Sequence, residues 1–181
     1  MAMTLLAYHG STARFTAFNP AAPAVAGSAT ARLGIFLSAD PRIAAHFTLR
    51  PWVISDGYAH PAGSRSLLDD PWQFDPDPFL PRAAVATVAL AWRHPFPMQA
   101  SDWARWIERV ARQANPAASV AAFRHWCERS GHDGVLVQAH DGQGAVRPSL
   151  ETDAPTYIAF RPDQVTLERW TDAADAWALS A

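Results

Sequence analysis

The order in which strand-like and helix-like patterns follow one another constrains the fold of this 181-residue chain more than any other feature. Apolar runs typical of strands lie at about residues 4–8, 33–38, 84–92, 134–138, 156–160 and 164–169. Apolar residues at helical spacing lie at about residues 40–49, 102–114 and 117–129. Because strands and helices do not alternate regularly, this order predicts an α+β fold with a largely antiparallel, split sheet rather than a doubly wound one.

Two of the predicted strands end in residues suited to a polar ligand. The first ends in His9-Gly10-Ser11, which brings an imidazole, a backbone position without a side chain and a hydroxyl together. The second runs from Gly34 to Ser38 and is followed by Asp40-Pro41, an N-cap with proline at the first helical position. A helix is therefore predicted from there to near Phe47. We expect the two strands to be neighbours that line one cleft.

The apolar spacing also predicts which side chains are buried. The helix after Asp40 is expected to turn Ile43, Ala44 and Phe47 inward. Ser101 or Asp102 is expected to cap the second helix, and the third is expected to bury the following side chains: Val120, Phe123, Trp126 and Cys127. Phe15 and Phe18 are expected to close the core beneath the cleft.

The two strand ends, with His9-Gly10-Ser11 and with the run from Gly34 to Asp40, resemble motifs of the ADP-ribosyltransferase superfamily. The resemblance is to the branch that contains the poly(ADP-ribose) polymerases, the diphtheria-like toxins and the transferase domains of bacterial and phage polyvalent proteins. His9-Gly10-Ser11 matches the first motif, and Phe36 and Phe47 fall on two tyrosine positions of the family without their hydroxyls. The stretches 131–137 and 156–165 resemble the closing strands. In the family the residue directly before the Tyr-Ile sequence of the second stretch is the catalytic glutamate, and in this chain that residue is Thr156, which precedes Tyr157.

The resemblance covers most of residues 5–167, fits poorly over 50–82, and implies a fold and a ligand. The implied fold is one ADP-ribosyltransferase-like domain over residues 1–170, a split antiparallel sheet with flanking helices, followed by a short helix or tail over 171–181. The implied ligand is NAD, used as a substrate. No glycine-rich Rossmann turn is present, so a Rossmann helix is not expected to hold it.

The resemblance also implies roles for individual residues. His9 would hydrogen-bond the adenosine ribose, the backbone of Gly10 would hold the carboxamide, and Phe36 and Phe47 would enclose the nicotinamide ring. Ser11 and Ser38 are placed with them as cofactor-binding residues. The catalytic roles would fall to His9, Phe36 and Thr156, or to Glu151 in place of Thr156, with Asp153 also near in sequence.

Three functions follow from this resemblance. The first is transfer of ADP-ribose from NAD to a macromolecule, as in a bacterial toxin, an effector or a phage-conflict protein. The second is NAD hydrolysis, with water as the acceptor, and the third is binding of NAD or ADP-ribose without turnover. A net charge of -2 gives no basic excess, so a protein acceptor is expected rather than a nucleic acid. A toxin would also imply an immunity protein as partner.

Composition argues against several other classes of protein. Cys127 is the single cysteine, which leaves no intrachain disulfide and no cysteine-based zinc site, and it is expected to fill the core. The acidic cluster Asp69, Asp70, Asp75 and Asp77 lacks the glycine and glutamate of an EF-hand loop, so no metal site is predicted. No run approaches the roughly 20 apolar residues of a membrane span, and the N-terminus lacks a basic signal-peptide segment. Cytoplasmic synthesis is expected, with export by a dedicated apparatus left open.

The stretch 50–82 is rich in proline, aspartate and aromatic residues without sustained periodicity. A structureless loop of that length is uncommon in a compact domain, so an ordered functional loop or an insertion is expected. Its aromatic residues are expected mainly to pack the loop down, with a substrate contact by Trp72 or Phe74 as the alternative.

Overall fold

The computed structural model describes residues 3–19, 30–49, 52–55, 58–61, 78–139 and 153–179. Its strands are β1 (Met3–Ser11), β2 (Ile35–Ser38), β3 (Trp52–Ser55), β4 (Tyr58–Pro61), β5 (Ala84–Trp92), β6 (Phe96–Met98), β7 (Gly134–Val137), β8 (Thr156–Ala159) and β9 (Val165–Asp172). Its helices are α1 (Pro41–His46), α2 (Ala100–Ala111), α3 (Pro116–Arg129) and α4 (Ala173–Ala178). Short 3-10 turns lie at Thr30–Leu33 and Pro162–Gln164.

Seven strands form one open sheet in the order β6-β7-β8-β2-β1-β5-β9, and β3 pairs with β4 as a separate hairpin. Every neighbouring pair in the large sheet is antiparallel except β6 with β7. The predicted α+β class with a largely antiparallel sheet is confirmed. The short strand β6 and the β3-β4 hairpin were not predicted, because neither carries a sustained alternation of apolar and polar residues.

The centre of the sheet is joined in an unusual way. β1 pairs with β5 along its whole length, and β2 pairs with β8 along its whole length. Between β1 and β2, however, the described residues form a single pair, Tyr8 opposite Ser38. We call this place, where the β1-β5-β9 half of the sheet meets the β2-β8-β7-β6 half, the β1–β2 junction.

Three apolar clusters fill the space above and below the sheet. One face carries a cluster centred on Ala7, Ile35, Leu37, Ala86 and Val88. On the opposite face, α1 and α4 cover the β1-β5 half around Ala44, Val85 and Trp177. The helices α2 and α3 cover the other half around Trp103, Val120 and Ile158. Successive strand residues point to opposite faces, so this arrangement fixes the direction of each side chain near the junction.

The helix after β2 begins as predicted. The carboxylate of Asp40 accepts a hydrogen bond from the backbone N–H of Arg42 at 2.7 Å, and Pro41 is the first helical residue. The helix also ends at the predicted place, with Phe47 as its C-cap. The prediction that Phe47 faces the core is wrong, because its side chain is 55% exposed while His46 is buried. In so short a helix, packing against β1 and α4 decides the buried face.

The ends of α2 and α3 agree with the prediction in part. Gln99, rather than Ser101 or Asp102, precedes α2 and makes no side-chain cap bond. The side-chain oxygen of Asn115 caps α3 by accepting from the N–H of Ala118 at 3.1 Å, and Pro116 is the first helical residue. Gly131, at φ 84°, follows the end of that helix.

The burial of α3 side chains also agrees in part. Val120 and Cys127 are buried as predicted, and Phe123 is partly buried. Trp126 is 44% exposed against the prediction. It packs beside Phe96 at the rim of the cluster, with ring centroids 5.2 Å apart.

Residues 171–179 continue the folded structure and include the short helix around Trp177 that the sequence offered as one alternative. The strand β9 continues to Asp172, and α4 places Trp177 in the cluster beneath α1, with its ring 6.1 Å from that of Phe79. Apolar burial of a tryptophan contributes on the order of 2 kcal/mol or more, which the sequence of a short terminal segment does not reveal. Of the helices described, none is both long and apolar enough to cross a membrane.

Candidate functional site

The imidazole of His9 bridges the β1–β2 junction. Its Nδ1 lies 2.9 Å from the backbone oxygen of Phe36 on β2. A carbonyl oxygen can only accept, so Nδ1 carries the proton and donates. In the neutral ring this leaves Nε2 with a free lone pair. Among the described residues no hydrogen bond to Nε2 is found, so this nitrogen is able to accept one.

Aromatic rings set the environment of His9. The ring of Phe18 lies 5.1 Å from the imidazole and that of Phe15 lies 6.0 Å away, both edge-on. Burial lowers the pKa of His9 below its ordinary 6.5, and the bond to Phe36 opposes this only partly. The ring is therefore neutral at pH 7. The expectation that Phe15 and Phe18 close the core beneath the predicted site agrees with these contacts.

The close packing of α1 against β1 requires glycine at position 10. A β-carbon added there would lie 1.9 Å from the backbone oxygen of Ala44 on α1. Contacts that short do not occur between non-bonded atoms, so α1 can approach β1 only at a glycine. The sequence alone suggested a ligand as the reason for this glycine, and the structure supplies a second reason.

Ser11 closes a local turn. Its hydroxyl donates to the backbone oxygen of Ala13 at 2.7 Å and accepts from the backbone N–H of Ala13 at 3.2 Å. This bonding turns the chain back over β1. Ser11 therefore contributes to the site by directing the following residues back over β1. Its role as a ligand contact stays a prediction.

The rings of Phe36 and Phe47 do not lie beside the imidazole. Phe36 points to the face opposite His9 and packs against Trp103, with ring centroids 6.1 Å apart. Phe47 is exposed and makes an edge contact with His46 at 6.2 Å. The expected convergence of His9 and Phe36 on one face is thus not found. The physical reason is the alternation of side chains along two antiparallel strands.

A row of polar side chains crosses the junction on the face of Phe36. Tyr8 stands opposite Ser38, and Ser38 stands opposite Thr156, which is followed by Val137 on β7. Ser38 is 4% exposed and Thr156 is 5% exposed. The Ser38 hydroxyl accepts from the backbone N–H of Asp40 at 3.0 Å, so its own proton is free to be donated.

The position of the family's catalytic glutamate is therefore a buried hydroxyl between neutral neighbours. Its neighbours across the strands are Ser38 and Val137, which carry no charge. Asp153 is exposed, and Glu151 lies outside the described residues, as do Trp72, Phe74 and the acidic cluster at residues 69–77. Within the described ranges, no group of three or more His, Cys, Asp or Glu side chains could hold a metal ion.

Sequence reasoning missed two features of the site. Tyr8 belongs to the polar row, which follows from the strand register and not from any motif. Trp170 contacts Phe15 from 155 residues away, so no local signal could have revealed it. A groove of about 360 Å³ lies close by, between residues 16–18 and 162–167.

No protein-family model matches the chain, and neither a curated protein nor a solved structure matches it.

Proposed function

We propose that this protein binds NAD at the β1–β2 junction and transfers its ADP-ribose to a macromolecular acceptor. The hydrogen bond from His9 to Phe36 carries the proposal, because it presents Nε2 as an acceptor at the place where the sheet is least continuous. A ribose hydroxyl is a donor of the kind that this nitrogen needs. The single-pair junction also supports a split, ADP-ribosyltransferase-like sheet, in line with the motif resemblance.

Cleavage of the bond between nicotinamide and ribose requires groups that orient NAD and groups that stabilise positive charge. The residues at the junction can supply the first kind. Nicotinamide leaves with the bonding electron pair, positive charge develops on the ribose, and a lone pair of the acceptor forms the new bond as the acceptor loses its proton. His9 would hydrogen-bond the adenosine ribose on its own face of the sheet, and the hydroxyls of Ser38 and Thr156, on the opposite face, would hydrogen-bond the nicotinamide ribose. The exposed ring of Phe47 would stack on the nicotinamide, which is worth about 1 kcal/mol beyond burial.

Thr156 favours a second function, binding of NAD or ADP-ribose without turnover. A hydroxyl brings no charge to stabilise the developing cation, and a charge-assisted hydrogen bond is about twice as strong as a neutral one. Removal of one stabilising group of this kind typically costs about 100-fold or more in rate. With Ser38 and Val137 on either side, no described side chain in the row replaces that charge.

Binding and turnover are separated by measuring both on the same sample. Calorimetric titration with NAD should show binding that His9→Ala weakens, while His125→Ala, at an exposed position on α3, should not. Chromatography then follows free nicotinamide, and radiolabelled NAD follows transfer to protein or nucleic acid. Nicotinamide release without label transfer would indicate hydrolysis. Binding without release would indicate the binding module, and absence of binding would refute the proposal.

Restoring the charge tests the role of Thr156. Thr156→Glu should raise nicotinamide release at least tenfold if the remaining site is intact, since the charged group alone is missing. Thr156→Gln controls for side-chain size at this buried position, and Thr166→Glu controls for an added charge at an exposed position on β9. Unchanged release from a folded Thr156→Glu protein that still binds NAD would contradict the proposed catalytic geometry.

A further inference from the structure

The chain that leaves β1 folds back over the strand that it has just completed. The Ser11 turn reverses its direction, and residues 12–19, which we call the strap, then carry Phe15 and Phe18 across the face that bears His9. The two phenyl rings contact each other at 4.7 Å, and Phe18 also packs against the cluster around Ala7 and Val88. Phe18 therefore joins the core on that face, while most of the other strap residues are exposed.

The strap is fastened to β9, at the edge of the sheet. The indole N–H of Trp170 donates to the backbone oxygen of Phe15 at 3.2 Å, and the rings of these two residues meet edge-on at 4.9 Å. Arg14 also pairs with Asp172 at 2.6 Å, but both side chains are more than half exposed. Exposed ion pairs contribute little to stability, so Trp170 is the main fastening.

The strand register explains how Trp170 reaches the neighbourhood of His9. His9 stands opposite Ala86 on β5, and Ala86 stands opposite Trp170 on β9. The three residues therefore form one row on one face, with the smallest side chain in the middle. Ala86 is fully buried, and Phe15 contacts the residues on either side of it, His9 at 6.0 Å and Trp170 at 4.9 Å.

We propose that Trp170 and Ala86 are positioning residues for His9, which hold Phe15 and Phe18 against the imidazole so that Nε2 stays an acceptor aimed at a ligand hydroxyl. The part that concerns a ligand rests on the proposed function. The part that concerns the imidazole does not, because it depends only on contacts within the chain. Trp170 touches no ligand in this scheme and acts through Phe15.

The surroundings of His9 make the rings of the strap the dominant influence on its protonation. The flanking strands β2 and β5 carry no titratable side chain. Arg14, next to Phe15 in the strap, pairs with Asp172 at an exposed position, and Glu168 and Arg169 on β9 are exposed. Loss of the aromatic cover would hydrate the ring and move the pKa of His9 upward towards its ordinary 6.5.

Nuclear magnetic resonance of the imidazole nitrogens tests the proposal without any ligand. Trp170→Leu should raise the pKa of His9 and reduce the population with the proton on Nδ1. Trp170→Phe keeps the ring but removes the N–H, and should give a smaller change in the same direction. The side chain of Trp126 is 44% exposed, so Trp126→Leu is the matched control and should leave His9 unchanged. A folded Trp170→Leu or Trp170→Phe protein with an unaltered His9 titration would overturn the proposal.

Titration with NAD then separates the two proposals. Trp170→Leu should weaken NAD binding roughly threefold to tenfold, the amount expected from one misplaced hydrogen bond. In turnover this loss should show in KM more than in kcat, since the reacting atoms keep their own contacts. If the wild-type protein binds no NAD while His9 responds to Trp170→Leu, the proposed function fails and the positioning role stands. If NAD binds equally well to a Trp170 variant in which the His9 titration has changed, the ligand part of the positioning role fails.

Discussion

Acidification should destabilise this protein through the buried side chain of His46. It is 3% exposed, and among the residues that the structure describes neither ring nitrogen finds a hydrogen-bond partner. Its ring neighbours are Phe47 at 6.2 Å and Trp177 at 6.5 Å. Burial in this apolar place lowers the pKa of His46 to about 4 from 6.5. The imidazole of His46 is therefore harder to protonate in the folded protein than in the unfolded chain.

The size and sign of the effect follow from that difference in pKa. Between pH 6.5 and about 4 the unfolded state binds a proton at His46 and the folded state does not, so stability falls as the pH falls through this range. One pKa unit corresponds to about 1.4 kcal/mol, so His46 should remove ~3 kcal/mol between pH 7 and pH 4. A loss of this size is a large fraction of the stability of a small domain, typically about 5–15 kcal/mol.

The assay compares unfolding free energies from urea titrations at steps between pH 7 and pH 4. His46→Leu should unfold at a similar or higher urea concentration than wild type at pH 7, because two unpaired buried nitrogens are removed. It should also lose ~3 kcal/mol less than wild type on acidification. His125→Leu, which alters an exposed histidine on α3, should keep the wild-type dependence. The reasoning is refuted if His46→Leu and wild type lose the same free energy between pH 7 and pH 4.

Three further changes test other parts of the fold. Gly10→Ala should lower the free energy of unfolding by at least about 2 kcal/mol in thermal or urea unfolding, since its β-carbon would lie 1.9 Å from the oxygen of Ala44. Arg124→Gln should cost about 2 kcal/mol in urea unfolding, because the guanidinium donates to the backbone oxygen of Phe160 at 2.6 Å. Cys127 should resist alkylation at pH 8 in the native protein and react fully in urea, because burial raises the pKa of its thiol to about 11.

Each of these predictions has a control or a contradicting result. Arg112→Gln removes an exposed arginine whose ion pair within the described part of the chain is with Glu108, and should change stability by less than about 0.5 kcal/mol. Equal effects of Arg124→Gln and Arg112→Gln would show that the backbone bond of Arg124 contributes nothing. An unchanged melting temperature for Gly10→Ala would mean that α1 can move away from β1 without loss. Native alkylation of Cys127 would contradict its burial.

Features that depend on residues adjacent in the chain could be predicted before the fold was known. Asp40-Pro41 and Asn115-Pro116 specify where two helices begin, because a side-chain acceptor and a residue with fixed φ act within one turn of the chain. Alternating and continuous apolar runs located the long strands, and their order predicted the α+β class. The His9-Gly10-Ser11 motif likewise drew attention to the end of β1, where the structure places the β1–β2 junction.

Which side chains meet depends on how distant segments pair in the fold. His9 and Phe36 lie on opposite faces because each strand has a fixed alternation and the register pairs Tyr8 with Ser38. The approach of Trp170 to the strap depends on β9 pairing with β5, a contact between residues far apart in sequence. Local propensities act over a few residues, whereas strand pairing and the close packing of glycine against a helix join segments that no local pattern connects.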